Sequence, residues 1–347
     1  MKNLFVVTAA IALLCFGGIA QAITIDTVAV GNAGNAGELS GYGAGGLGFG
    51  PDRVCGSVGY NYNIGKYEVT AGQYTAFLKA VAATDTYGLY NTDMSRTDYG
   101  SGITRGGVSG SYTYSAASDF VNRPVNYVNW GDSARFANWL HNGQPTGLQV
   151  ASTTEDGAYY LNGAMTNAAL NAVTRESDWT WAVTSEDEWY KAAYHKNDGV
   201  TGNYWDYPTS SDYAPGQDMV DVSGNNANYY TPPYAYPIDS GKYTTVAGEF
   251  QDSDSPYGTF DQGGNLWEWN EAIVIHSVWR GLRGGSFGHE DWYESLMPQT
   301  RNGGYYPSGE GEYQYWGFRV SEVPEPSSII ALLGGLTGLI GLRRRKA

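Results

Sequence analysis

The chain has 347 residues, with 35 Asp and Glu against 20 Lys and Arg and a formal net charge of −15. An acidic balance of this size repels nucleic acid and anionic lipid, and no basic stripe interleaved with aromatics offsets it, which sets nucleic-acid binding aside. With 48 Gly, 29 Tyr and 11 Trp, the composition points to a loop-rich fold with an aromatic core and surface, and argues against a helical bundle and against disorder.

At the start, Met1-Lys2-Asn3 leads into an apolar run from Leu4 to Ile19 that closes on Ala20-Gln21-Ala22. These are the basic, greasy and small-residue parts of a secretory signal peptide, so residues 1–22 are set apart and the mature chain is expected to begin near Ile23. Residues 23–59 form a Gly-rich leading segment. Its stretch from Val30 to Pro51 has no Gly-Lys-Ser/Thr to hold a phosphate and reads as a turn-rich loop. Cys15 leaves with the signal peptide and only Cys55 remains, so no intrachain disulfide can form, and Cys55 reads as a small buried hydrophobe.

Residues 60–322 carry the folded domain. Tyr60 to Val69 alternates as a strand does, and Thr70-Ala71-Gly72-Gln73 supplies a capping box for a helix bearing Tyr74, Phe77, Leu78 and Val81. Tyr87 to Phe120 lacks helical periodicity and reads as a long surface excursion. Arg123 to Trp130 is extended and turns into a helix at Asp132, with Ser133, Phe136, Ala137 and Leu140 on one face and Gly143 past its end. A third helix starts after Thr184, where Ser185 and Glu188 make another capping box, and it presents Trp189, Ala192 and Ala193. Beyond Lys196 only short extended pieces and turns are expected, which together make an α+β domain.

The last residues hold Val323-Pro324-Glu325-Pro326, a greasy run from Ile329 to Leu342, and then Arg343, Arg344, Arg345 and Lys346. The run is short for a full span and ends in a basic stop. The order of these parts resembles a PEP-CTERM sorting signal over 323–347. That resemblance implies recognition by an exosortase, removal of the tail, and delivery to the envelope or extracellular matrix of a Gram-negative bacterium. An ordinary C-terminal membrane anchor is the plainer alternative. Without Lys2 and the terminal basic cluster, 15 Lys and Arg face 34 or 35 acids, a net charge of roughly −20.

Six segments in order resemble the motifs of the formylglycine-generating (sulfatase-modifying factor) family. They are Ile64 to Thr70, Arg123-Pro124-Val125 through Trp130, Val183 to Trp189, Tyr257 to Trp269, Arg283 to Phe287, and Gly317-Phe318-Arg319-Val320. The resemblance implies a single domain of low regular secondary structure, distantly like C-type lectins and stabilised by calcium. It would place one calcium on Asp261, Glu268 and the carbonyls of Gly264 and Leu266. A second, weaker set would be Asn228, the carbonyl of Tyr229, and Asp239. Asp261 and Glu268 are hard oxygen ligands bracketing a Gly-rich turn, as calcium prefers. The plainer reading is that Asp261 caps a turn while Glu268 pairs with an arginine such as Arg283.

Enzymes of that family oxidise a substrate cysteine through two thiols that hold copper, and soft thiolates suit Cu(I) where oxygen and imidazole do not. Aligned from Gly284-Gly285-Ser286-Phe287, the thiol positions fall on His289 and Glu294, which argues against copper and against formylglycine generation. His289, Glu290, Asp291 and Glu294 are either a candidate zinc, iron or manganese group or a solvated acidic loop. His141, His195 and His276 have no metal-ligand spacing. The first two fall in last helical turns, where partial positive charge suits the helix dipole. Glu186 and Glu188 are better explained by helix capping than by acid/base work, and no Gly-x-Ser-x-Gly elbow occurs. Two functions stay open at this point. One is a noncatalytic binding or matrix protein presenting Tyr and Trp to a glycan or protein. The other is an oxidoreductase with a different metal centre acting on a secreted substrate.

Overall fold

The computed structural model describes residues 22–45, 50–230, 239, 241–274, 278–288, 293–304 and 306–323. In chain order the strands are β1 (Thr27–Val30), β2 (Glu38–Ser40), β3 (Arg53–Cys55), β4 (Tyr62–Gly65), β5 (Ile103–Gly106), β6 (Thr113–Ala116) and β7 (Trp181–Val183). They continue with β8 (Trp267–Ile273), β9 (Arg280–Arg283), β10 (Asn302–Gly304), β11 (Trp316–Phe318) and β12 (Val320–Glu322). The α-helices are α1 (Ala71–Val81), α2 (Trp130–His141), α3 (Asn167–Asn171) and α4 (Glu186–Tyr194).

The helices begin where local chemistry tells them to. Thr70 Oγ1 accepts the Gln73 N–H while the Gln73 side chain accepts the Thr70 N–H, the reciprocal capping box expected for α1. Ser185 and Glu188 do the same for α4. Helix α2 starts at Trp130, two residues ahead of the expected Asp132. Asn129 is its cap, accepting the Asp132 N–H at 3.0 Å, and Asp132 Oδ2 accepts the Asn129 N–H at 3.0 Å. Gly143 follows with φ 77°, a left-handed stop that glycine adopts without a Cβ clash.

Two four-stranded sheets organise the domain. One has the order β1-β4-β12-β7, antiparallel throughout, so the last described strand lies inside the sheet. The other has the order β10-β9-β8-β11, with β8 and β11 parallel. Because β1 pairs with β4, the leading segment supplies a strand of the domain ahead of Tyr60. The stretch expected as a bare loop also holds β2, which pairs with β3. The Tyr87–Phe120 excursion contains a β5–β6 ribbon. Between the sheets and helices lies an aromatic core. Phe136 meets Phe77 and Phe318 edge-on at 5.3 and 5.4 Å, and Trp269 meets Trp316 at 5.1 Å. These are offset and edge geometries, which favour the ring quadrupoles.

Candidate functional site

The turn from Asp261 to Leu266 gathers polar partners from distant parts of the chain. Its own backbone is bent, with Asp261, Gly264 and Asn265 at φ 59°, 86° and 58°. A Cβ on Gly264 would stand 2.3 Å from the Asn228 carbonyl oxygen, so only glycine fits. Asn265 Oδ1 accepts from Asn228 Nδ2 at 3.1 Å and from the Thr245 N–H at 3.0 Å. Its Nδ2 donates to Glu68 Oε2 at 3.2 Å, and Glu68 Oε1 accepts the Leu266 N–H at 3.1 Å. Glu68, buried at the end of the first motif, is thus part of the site. Sequence reasoning passes over it; its signal is an acid set between Tyr67 and Val69 in a segment that otherwise reads as core strand.

Glu268 is fully buried on β8, and its carboxylate is forked by Arg319, with Nε 2.5 Å from Oε2 and Nη2 2.6 Å from Oε1. Trp189 Nε1 adds a bond to Oε2 at 2.8 Å. An arginine does pair with Glu268, as the plainer reading held, but it is Arg319 and not Arg283. Arg283 lies opposite Glu268 in the β8–β9 register, yet its guanidinium goes to Glu186. Asp261 Oδ2 accepts the Gly248 N–H at 2.6 Å. The two buried carboxyl groups of Glu68 and Glu268 and the half-buried one of Asp261 therefore share one guanidinium. Burial, then Glu268 and Asp261, push Glu68 well above the usual carboxylate range. Burial likewise pushes Asp261 up to about 6, against the pull of the Gly248 N–H and Arg319. Glu268 Oε2 has both lone pairs engaged, so a cation here would meet one lone pair of Oε1. Among the described residues, Asp261 Oδ1 and the carbonyls of Gly264 and Leu266 accept no hydrogen bond, which leaves oxygen donors of the kind calcium takes. No three His, Cys, Asp or Glu converge as a metal-holding group among those residues.

The second set is dispersed into other contacts. Asn228 Nδ2 donates to the Tyr243 carbonyl and to Asn265, the Tyr229 carbonyl accepts from Gln217 Nε2, and Asp239 is ion-paired with Arg123.

Glu186 takes no part in the α4 capping box, which Ser185 and Glu188 form; its carboxylate serves arginines instead. Arg53, Arg283 and Arg301 all donate to it, and although burial alone would raise it, the three guanidinium groups hold it down at about 2. Cys55 Sγ lies 3.3 Å from Arg283 Nη2 in the same cluster, packed among Trp189, Tyr190, Ala193 and Tyr194. Burial pushes its thiol up to about 11 despite the neighbouring arginines. Glu188, besides its capping role, is forked by Arg175 at 2.7 and 2.9 Å.

A ladder of rings runs beside these hubs. Arg96 stacks over Tyr99 at 4.0 Å, and Tyr99, Tyr243, Phe287 and Tyr315 follow at successive centroid distances of 5.8, 5.4 and 5.6 Å. Tyr293, Tyr306 and Tyr313 are exposed on the segments that flank it in sequence.

The profile of the sulfatase-modifying factor enzyme 1-like domain matches residues 56–322. The chain belongs to this family. A PEP-CTERM protein-sorting motif matches 322–346, which indicates export, recognition by an exosortase and C-terminal processing at a Gram-negative envelope. Among solved structures, Treponema denticola variable protein 1 aligns with TM-score 0.50 and 17% identity over 87% of this chain and 98% of that one. CarF aligns at 0.49 and 18% over 87% and 99%, and PvdO from Pseudomonas aeruginosa at 0.47 and 19% over 86% and 94%. At 17% identity the first of these shows a likeness of fold alone, a single α+β domain of low helix content. No curated protein matches the sequence.

From Phe287 the chain runs on towards His289 and Glu294, the two positions expected to replace the family's thiols. His289 lies outside the described residues, as do Glu290, Asp291, His276 and Pro324 to Pro326 of the sorting motif. Glu294 is half-buried in a 3-10 turn, Tyr293–Leu296, and its Oε2 has no hydrogen-bond partner. Val323, the first residue of the sorting tail, donates its N–H to the Thr180 carbonyl at 2.9 Å. His141 ends α2 with Nδ1 accepting the Thr180 N–H at 3.1 Å. The helix-dipole account of His195 needs correction. Burial lowers its proton affinity, and Nδ1 accepts the Asn197 N–H and lies 2.8 Å from the Tyr257 hydroxyl, so it serves as a neutral buried acceptor.

Proposed function

We propose that this chain is an exported, surface-sorted binding or matrix protein that keeps the sulfatase-modifying factor scaffold without its copper–thiol chemistry. The observation that carries this reading is the state of the only cysteine outside the signal peptide. Cys55 is buried, hydrogen-bonded by Arg283 and held as a thiol, and the positions that the family resemblance implies for the two thiols carry His289 and Glu294 in this sequence. The half-exposed rings of the ladder, Tyr99, Tyr243 and Tyr315, backed by the buried Phe287, are the surface proposed to meet a glycan or protein, since rings stack on sugars and anchor protein contacts. The Asp261–Glu268 turn is the proposed calcium site. Its support is the excess of buried negative charge and the oxygen atoms left without donors.

Elemental analysis of the exported domain, Ile23 to Glu322, after exchange into metal-free buffer tests the reading. Calcium at about one equivalent without a transition metal, followed by binding on a glycan array that fails when Tyr99 and Tyr313 are replaced by Ala, is the expected result. Stoichiometric copper, iron, zinc or manganese, lost on His289→Ala, would overturn it and make the protein a metal-dependent oxidoreductase.

A further inference from the structure

The sorting tail is joined to the folded domain without slack. Strand β12 ends at Glu322, and the N–H of the next residue, Val323, is already bonded to the Thr180 carbonyl at 2.9 Å. Only Pro324 to Ser328 separate it from the greasy run that begins at Ile329. A fully extended chain covers about 3.3–3.6 Å per residue, so Val323 and Ile329 can stand at most about 20 Å apart. Even a 100-residue domain has a radius of gyration of about 13 Å. The Pro-Glu-Pro core lies inside that short reach, so an enzyme that grips it in a cleft brings its own body against this domain.

The surface it meets is built by the strands on either side of β12. Glu322 lies between Asn63 of β4 and Trp181 of β7. Just ahead of those two strands stand Tyr60 and Trp179, whose rings meet edge-on at 6.3 Å, so side chains from both flanks close on each other where β12 stops. Both rings are fixed from within. The Tyr60 hydroxyl donates to Glu188 Oε1 at 2.5 Å, and Arg175, which forks Glu188, lies 4.1 Å from the centroid of the Trp179 ring. Tyr60 is exposed and Trp179 half-buried. The Thr180 N–H is bonded to His141, which borders a cleft of about 670 Å³ shared with Asp156, Tyr160, Glu176 and Asp178. The three carboxylates are exposed and enter no ion pair among the described residues, and Arg175 is spent on Glu188 and Glu271. The exit of the tail is therefore aromatic and anionic, which suits a partner surface of basic and apolar side chains and disfavours an anionic lipid surface.

We propose that recognition by the exosortase extends past the sorting motif into the folded domain, and that the face formed by Tyr60, Trp179 and Asp178 is its docking surface. The matching element of the enzyme carries Lys or Arg among apolar groups. Docking on this face holds the motif at high effective concentration over a span of at most about 20 Å, and the bond at Val323 fixes where the peptide starts. The face acts on the tail and is independent of any ligand the domain binds.

The test follows tail removal from the chain with its tail intact by a purified exosortase, in neutral detergent so that lipid charge plays no part. Asp178→Lys alters an exposed residue outside any ion pair and should lower kcat/KM about tenfold at low salt, a loss that shrinks as salt is raised to about 0.5 M. Tyr60→Ala should lower it at every salt concentration, with urea midpoints showing that the fold persists. About ten Gly and Ser residues inserted between Val323 and Pro324 free the motif from the face, and in that background Asp178→Lys should have no further effect. Tail removal at the unmodified rate in both surface variants, or a loss that persists in full across the spacer, would overturn the proposal.

Discussion

Arg319 and Glu268 face each other with neither side chain exposed, joined by two bonds of 2.5 and 2.6 Å. Arg319 also donates to the carbonyls of Gly65 and Phe260, so one guanidinium ties β4, β8 and the Asp261 turn together. Truncating one partner strands a buried charge. Arg319→Met is expected to lower stability by about 3–5 kcal/mol in urea unfolding, and the double variant Arg319→Met/Glu268→Leu should be less damaged than the two single changes added together.

Gly264 admits no side chain. With φ 86° and the Asn228 carbonyl oxygen 2.3 Å from the point a methyl group would occupy, Gly264→Ala should cost about 2–3 kcal/mol and displace the Asn228–Asn265 contact. Thermal unfolding gives the cost, and loss of calcium from the same variant would locate the ion at this turn.

Calcium held at the Asp261 turn, as proposed, would make stability depend on the free ion. At a hundred times its dissociation constant, calcium would add about 2.7 kcal/mol, lost on chelation. Calorimetry with and without chelator should show this shift in the unmodified protein and its absence in Asp261→Ala. An unmodified protein indifferent to chelator would leave the Arg319 pair as the turn's only charge balance.

Glu186 sets an acid limit. Its folded value, about 2, lies below the ordinary 4.5, so its stabilisation is present above about 4.5 and is lost as pH falls towards 2. The displacement corresponds to roughly 3 kcal/mol. Urea midpoints between pH 7 and pH 2.5 should fall more steeply in the unmodified protein than in Glu186→Gln, which begins less stable because three arginines lose their anion.

Cys55 should be silent in the native state. A thiol buried beside Trp189 and raised to about 11 has almost no thiolate at neutral pH, so a thiol-reactive dye should label it only after denaturant is added. Rapid labelling of the folded domain would contradict its burial.

What the sequence reveals and what it hides divide along sequence distance. The boxes at Thr70–Gln73 and Ser185–Glu188 act within one turn and are readable as such; the Asn129–Asp132 box is equally local, but the apolar pattern points to Asp132 as the helix start when it is the third residue inside. Six motifs in order suffice for the fold, because they mark the segments that pack together. Partner choice among buried charges is not readable. Glu186 draws Arg53, Arg283 and Arg301 from three remote segments, and β-register alone would give Arg283 to Glu268. Glu312 and Asn129, 183 positions apart, meet only because segment 306–315 folds back onto α2.

The interior position of β12 decides how the domain bears load. Strand Val320–Glu322 is flanked by β4 and β7, and Val323 is bonded to Thr180 where the sorting tail departs. A pull on that tail enters the middle of a sheet and is shared by hydrogen bonds on both sides of one strand, instead of peeling away an edge. While the tail holds the protein at the envelope, the domain hangs from its own centre.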